Sequence, residues 1–143
     1  MQFSSRTTIA THMLLCIAMF QDTQKVTSTF MAGSIHVDPV IVRNISGLLS
    51  AAGIIEVKAG VGGASLARPA ETITLLDVFK AMEKEEALFH FHEHPEPLCP
   101  VGRNIHRLMD GRLTGIQAAM EQQMAQTTLA QLLTELRTVE AAS

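Results

Sequence analysis

The spacing of apolar positions along the chain reads mostly as helix. Ile9, Met13, Cys16, Ile17 and Phe20 fall at i, i+4, i+7, i+8 and i+11, one face of a first helix that Ser4 or Ser5 can cap. A second, short helix is predicted from Thr27 or Ser28 to about Gly33, where glycine ends it. The third helix is the best marked. Asp38 is a strong N-cap, Pro39 suits the first helical position, and Gly53 stops the run. Ile41, Ile45, Leu48 and Leu49 form its apolar stripe, and Val40, Arg43, Asn44, Gly47 and Ser50 face the other way.

Strand character follows, briefly. IIEVK (54–58) and ASLAR (64–68) flank a turn holding Gly60, Gly62 and Gly63, which predicts a hairpin. A helix is predicted from Thr74 to about Glu83. The stretch HFHEHPEPLCP within residues 84–100 carries three prolines that forbid a regular helix. A long helix then runs from Val101 to about Gln126 on Ile105, Leu108, Met109, Leu113, Ile116, Met120 and Met124, and Thr128 caps a last one. Three short helices and a two-stranded hairpin are the order of a winged helix-turn-helix. The chain is thus predicted to be mainly α with a small β-hairpin. A winged helix-turn-helix domain spans residues 1–83, a connecting loop 84–100, and a helical dimerisation region 101–143. Leu113, Ile116, Met120 and Met124 lie on a helix too exposed for one small domain to bury, which predicts a homodimer.

Composition adds a core without Trp or Tyr, built from Leu, Ile, Val, Ala and eight Met among 143 residues. The net charge of −3 speaks against a nucleic-acid binder until it is divided along the chain. Residues 1–69 hold Arg6, Lys25, Arg43, Lys58 and Arg68 against Asp22, Asp38 and Glu56, so the front half is mildly basic and the rest acidic. That split is compatible with a local phosphate-binding face. The longest apolar run, residues 9–20, is too short to span a membrane, and a cytoplasmic protein without a membrane partner is expected. Cys16 and Cys99 are too few for a disulfide framework.

The glycine turn is the first candidate for chemistry. No Lys-Ser/Thr pair and no helix follow it, so neither a P-loop nor a dinucleotide fingerprint fits. An ordinary hairpin turn uses glycine for positive φ, but that leaves three glycines beside Lys58 unexplained. A wing tip that approaches a duplex backbone closely needs small residues and a nearby cation. Arg43 can donate bidentately to guanine, and Ser28, at a helix N-terminus, can donate to a phosphate.

On these residues the chain resembles the Rrf-two family of bacterial transcriptional regulators. The carrying stretches are LLSAAGII at the end of the third helix, AGVGGASLARP in the wing and ITLLDVFKAME after it. SSRTTIATHMLL and CPVGRNI extend the likeness over nearly the whole chain. The resemblance implies a homodimer that binds double-stranded operator DNA, usually as a repressor, with the long helix as dimer interface. It implies that Asp38, Val40, Arg43 and the adjacent Asn44 face the major groove. Arg6 and Ser28 would touch phosphates, and Lys58, Gly60, Val61, Gly62 and Gly63 would form the wing contact. Many members carry Arg where this chain has Ala59, and Lys58 is the candidate substitute.

Many members also hold an iron–sulphur cluster on three cysteines. This chain has only Cys99 there, with Glu93 near another ligand's place, so no cluster and no other cofactor is expected. His90, His92 and His94 alternate, with Cys99 and His106 nearby, and an extended backbone would turn the three imidazoles to one side. A small metal- or redox-binding protein using this set is the alternative function; an exposed polar loop is the commoner explanation. Cys99, just before Pro100 at the start of the long helix, is the candidate sensor of oxidants or electrophiles. No Ser-His-Asp or paired-carboxylate arrangement can be assigned, and an enzyme is not expected.

Overall fold

The computed structural model describes residues 5–58, 63–83 and 89–143. The first helix, α1 (Arg6–Phe20), buries more than the predicted face: Ala10 and Leu14 are covered as fully as Met13 and Ile17. It is the central rod of the molecule, and a helix wrapped by neighbours has no single stripe. The Ser5 side chain makes no cap. Its carbonyl instead accepts from the Ile9 N–H and the Thr8 hydroxyl, each at 2.9 Å. Ser4 lies outside the described residues.

The second helix, α2 (Ser28–Ile35), starts from Thr27, whose hydroxyl accepts the Phe30 N–H at 3.1 Å. It runs two residues past the expected stop at Gly33 and ends at His36 in the left-handed region (φ 65°). Helix α3 (Pro39–Ala51) begins as predicted, with the Asp38 carboxylate accepting the Val40 N–H at 2.8 Å. Its end is a Schellman turn. Gly53 sits at φ 75°, the Ile54 N–H reaches the Leu49 carbonyl and the Gly53 N–H that of Ser50, both at 3.0 Å. The buried stripe is Val42, Ile45, Ser46 and Leu49, turned from the expected one, so that Ile41 is 40 % exposed. Val42 wins because it packs into the core cluster with α1, whereas Ile41 lies beyond the edge of that contact.

Strands β1 (Ile55–Lys58) and β2 (Gly63–Leu66) pair antiparallel, with Ile55 opposite Leu66 and Lys58 opposite Gly63. A 3-10 turn (Ala70–Thr72) leads to α4 (Leu75–Met82), whose Thr74 and Asp77 form a reciprocal capping box. Asp77 also pairs with Arg68 at 3.0 Å. Residues 89–99 form no helix or strand. Then come α5 (Pro100–Ala125) and α6 (Leu129–Ala141), the latter started by a Thr128–Gln131 capping box.

Helix α5 joins the rest of the fold at its C-terminal end. No residue of its 26 is buried. At its far end the Leu75 N–H donates to the Thr127 carbonyl at 2.9 Å and the Leu129 N–H to Ile73 at 2.8 Å. Leu129 enters the same core as α1, α3 and α4. Among the described residues no helix is long and apolar enough to cross a membrane. Helices α1–α3 with the hairpin make a winged helix-turn-helix.

Candidate nucleic-acid interface

The first turn of α2, one face of α3 and the hairpin converge on a groove of about 510 Å³. Ser28, Arg43, Lys58 and Gly63, predicted separately from three elements, all line it. Arg43, Gly47 and Ser50 stand at i, i+4 and i+7 and so share the α3 wall. Thr27, predicted only as a helix start, and Thr29, which the sequence reading passed over, also line it, and threonines beside a helix start are ready phosphate donors. Arg43 and Lys58 are exposed, and neither has an ion-pair partner among the described residues. A concave wall with two unneutralised cations, hydroxyls and a side-chain-free Gly47 can accept an anionic rod.

The other predicted contacts fall differently. Val40 (51 % exposed) and Asn44 lie on the outward face of α3, outside the lining of the groove. Asp38 is at the head of that helix, with one carboxylate oxygen taken up by the cap. Arg6 does not line the groove; its guanidinium lies 3.9 Å from Glu83. Gly60, Val61 and Gly62, with Ala59, lie outside the described residues.

Gly63 has a second task that the sequence did not suggest. Its φ is +71°, and a Cβ there would lie 2.9 Å from the backbone nitrogen of Val26. Close approach of two backbones lets the Ala64 N–H reach the Val26 carbonyl at 2.9 Å. Two residues on, the Leu66 N–H donates to Oε1 of Gln21 at 3.0 Å. Gly63 therefore seats the hairpin on the turn after α1. Gly47 is the reverse case, with nothing within 4 Å of a Cβ.

The histidine stretch does not form the extended ladder that would align its imidazoles. His94 takes φ 56°, which breaks the alternation. The His92 and His106 rings stack at 5.7 Å, Phe91 tilts against His106 at 5.1 Å, and His106 Nδ1 lies 3.7 Å from Asp110. Among the described residues no three His, Cys, Asp or Glu side chains come together to hold a metal ion. Cys99 is exposed at the N-cap of α5. No hydrogen bond of capping geometry closes on it, yet the backbone N–H of Gly102, and secondarily that of Val101, lowers its thiol below the ordinary value. Cys16 is buried on α1.

Comparison with known proteins bears on the sequence and the fold. The pattern of the family described as Rrf2, iron-dependent transcriptional regulator, matches residues 3–135. YwnA of Bacillus subtilis (strain 168), named as an HTH-type transcriptional regulator, is 39 % identical over 133 residues, 93 % of this chain and 98 % of that one. A crystal structure described as a DNA-binding protein superposes with a TM-score of 0.72 at 34 % identity, covering 90 % of this chain and 99 % of the other. The structure of CymR, the global cysteine regulator of B. subtilis, shares the fold, with a TM-score of 0.70 at 18 % identity over 94 % of this chain and 97 % of its own.

Two glycines should respond in opposite directions. Gly63→Ala is expected to lower unfolding stability in urea by about 1–3 kcal/mol, because it adds strain and a clash together. Gly47→Ala, inside a helix and facing open space, should raise it by up to about 1 kcal/mol. Iodoacetamide alkylation of Cys99 followed against pH should titrate below the free-thiol midpoint of about 8.5. A midpoint at or above it contradicts the stabilisation by the Gly102 amide.

Proposed function

This chain belongs to the Rrf2 family of transcriptional regulators, and we propose that it is a homodimeric repressor that grips operator DNA with α3 and the hairpin of each subunit. Members of the family are regulators of transcription and not enzymes. The observation that carries the proposal is the shared groove: Ser28, Arg43 and Lys58, from three separate elements, line one wall system, and both its cations lack ion-pair partners among the described residues. In this reading α3 enters the major groove with Arg43 donating bidentately to a guanine, and Val40 and Asn44 touch neighbouring base edges. Ser28 and the α2 N-terminus hold a phosphate, and Lys58 on the hairpin holds the backbone beside it. Such a regulator works in the cytoplasm, where it meets the chromosome.

The second copy is inferred from surface left uncovered. Helix α5 is roughly 39 Å long at 1.5 Å per residue and keeps Leu108 and Ile116 more than half exposed. Beside its end, Leu15, Met19, Phe20, Met124, Leu132 and Leu136 line an apolar hollow of about 660 Å³. A contiguous apolar tract of this extent on a small domain is the signature of an interface, and Leu113, Ile116, Met120 and Met124 supply it along α5. Two copies joined there present two α3 helices to one duplex, and a duplex so occupied is closed to polymerase.

No cluster or metal enters this proposal. An iron–sulphur cluster is held by several thiolates, and the chain's two cysteines are split between the buried face of α1 and the exposed start of α5. The signal is assigned instead to Cys99, whose thiolate is open to oxidants and electrophiles and sits on the helix that joins the copies.

Electrophoretic mobility shift on DNA from upstream of its own gene is the direct test. Arg43→Ala is expected to relax base preference by about 1–3 kcal/mol at one position. Lys58→Ala should weaken all duplexes alike and flatten the salt dependence by about one unit for each subunit of the dimer. Parental behaviour in both variants removes the assigned surface. In sedimentation equilibrium the parent should be a dimer at micromolar concentration and Ile116→Asp a monomer; a monomeric parent defeats the proposed interface.

A further inference from the structure

The hairpin has two sides, and one of them faces away from α3. There a smaller hollow of about 300 Å³ lies between the hairpin and the turn that follows α1. Val26, Lys58, Gly63 and Ala64 line both hollows, so the two adjoin across the turn end of the strand pair. The outer one adds Gln21, Gln24, Lys25 and Ser65. Its lining holds two ammonium groups, carboxamides and a hydroxyl, and no carboxylate. All of these groups can donate to phosphate oxygens. Lys25, like Lys58, is exposed and has no ion-pair partner among the described residues.

Lys25 is also held in place. Before it, the Thr23 and Gln24 N–H groups donate to the Phe20 carbonyl at 3.1 and 3.0 Å. After it, Val26 is buried and accepts from Ala64. The Gln21 carboxamide closes the same junction on Leu66. The backbone on either side of Lys25 is thus tied to the hairpin that carries Lys58, and a charge on a tied backbone loses little entropy when it meets a ligand.

Resting on the duplex-binding reading, we propose that this hollow is a second phosphate site, in which Lys25 and Lys58 together hold the DNA backbone on the far side of the wing. Lys58 lines both hollows and serves both; Lys25 lines only the outer one. The footprint on DNA then continues past the wing through a contact that carries no base information.

The test uses the full chain, titrated by fluorescence anisotropy onto a random-sequence duplex and onto DNA from upstream of its own gene, over a series of salt concentrations. Lys25→Ala should weaken both complexes by the same factor and make the slope of log K against log salt shallower by about 1.8 for the dimer, about 0.9 for the one phosphate held by each subunit. Lys25→Gln, which keeps most of the stem, should do the same with unchanged thermal melting. A parental slope in both variants overturns the second site and leaves the groove facing α3 standing. A loss confined to the upstream DNA overturns it too, because base readout and not phosphate would be at stake. A parent that binds neither duplex removes the outer site and the DNA-binding proposal together.

Discussion

Two strands of four residues do not hold a shape in water unaided, so the position of Lys58 relative to Arg43 is set by whatever the hairpin is tied to. Two ties do it: the Ala64 N–H bonds to the Val26 carbonyl and the Leu66 N–H to the Gln21 side chain, while Ala67 and Ile54 close the hairpin's own base at 2.9 Å. Ile54 and Ile55 bury the root of β1 in the core, while Val57, two residues on, is exposed. The wing is therefore fixed at its base. At Gly63 the left-handed φ and the contact with Val26 coincide.

Charge follows the same geometry. Arg68 is taken by Asp77 and Arg6 by Glu83, both on or beside α4. Arg43, Lys58 and Lys25 are left without such partners among the described residues, all of them around the hairpin. A chain of net charge −3 can therefore still offer a local positive field where three such cations stand close together. The formal charge of a small protein says little about one face of it.

Much of this was legible beforehand where the cause is local. Asp38 with Pro39, Thr74, Thr128 and Gly53 each act within a turn of themselves, and each marked its helix boundary correctly. What the residues could not disclose depends on neighbours distant in the chain. Leu14 is as buried as Met13 only because α4, α6 and β2 pack around α1. Ile41 and Val42 are equally apolar, and only the direction of α3 against the core decides which is covered. The alternating histidines suggested a ladder, but alternation aligns side chains only on extended backbone, and His94 is not extended. Gln21 carried no signal at all, since a carboxamide that caps a strand 45 residues away has no local pattern.

The anchoring of α5 is lopsided. Its C-terminal end is pinned by the Thr127–Leu75 and Leu129–Ile73 bonds, beside Thr74 and hence α4. Its N-terminal end, where Cys99 and Gly102 sit, packs on its own connecting segment; Gly102 is so close to the Glu96 backbone that a Cβ would lie 2.5 Å from its carbonyl oxygen. Because α4 packs on α3 as well as on α5, the long helix is coupled to the helix-turn-helix through α4.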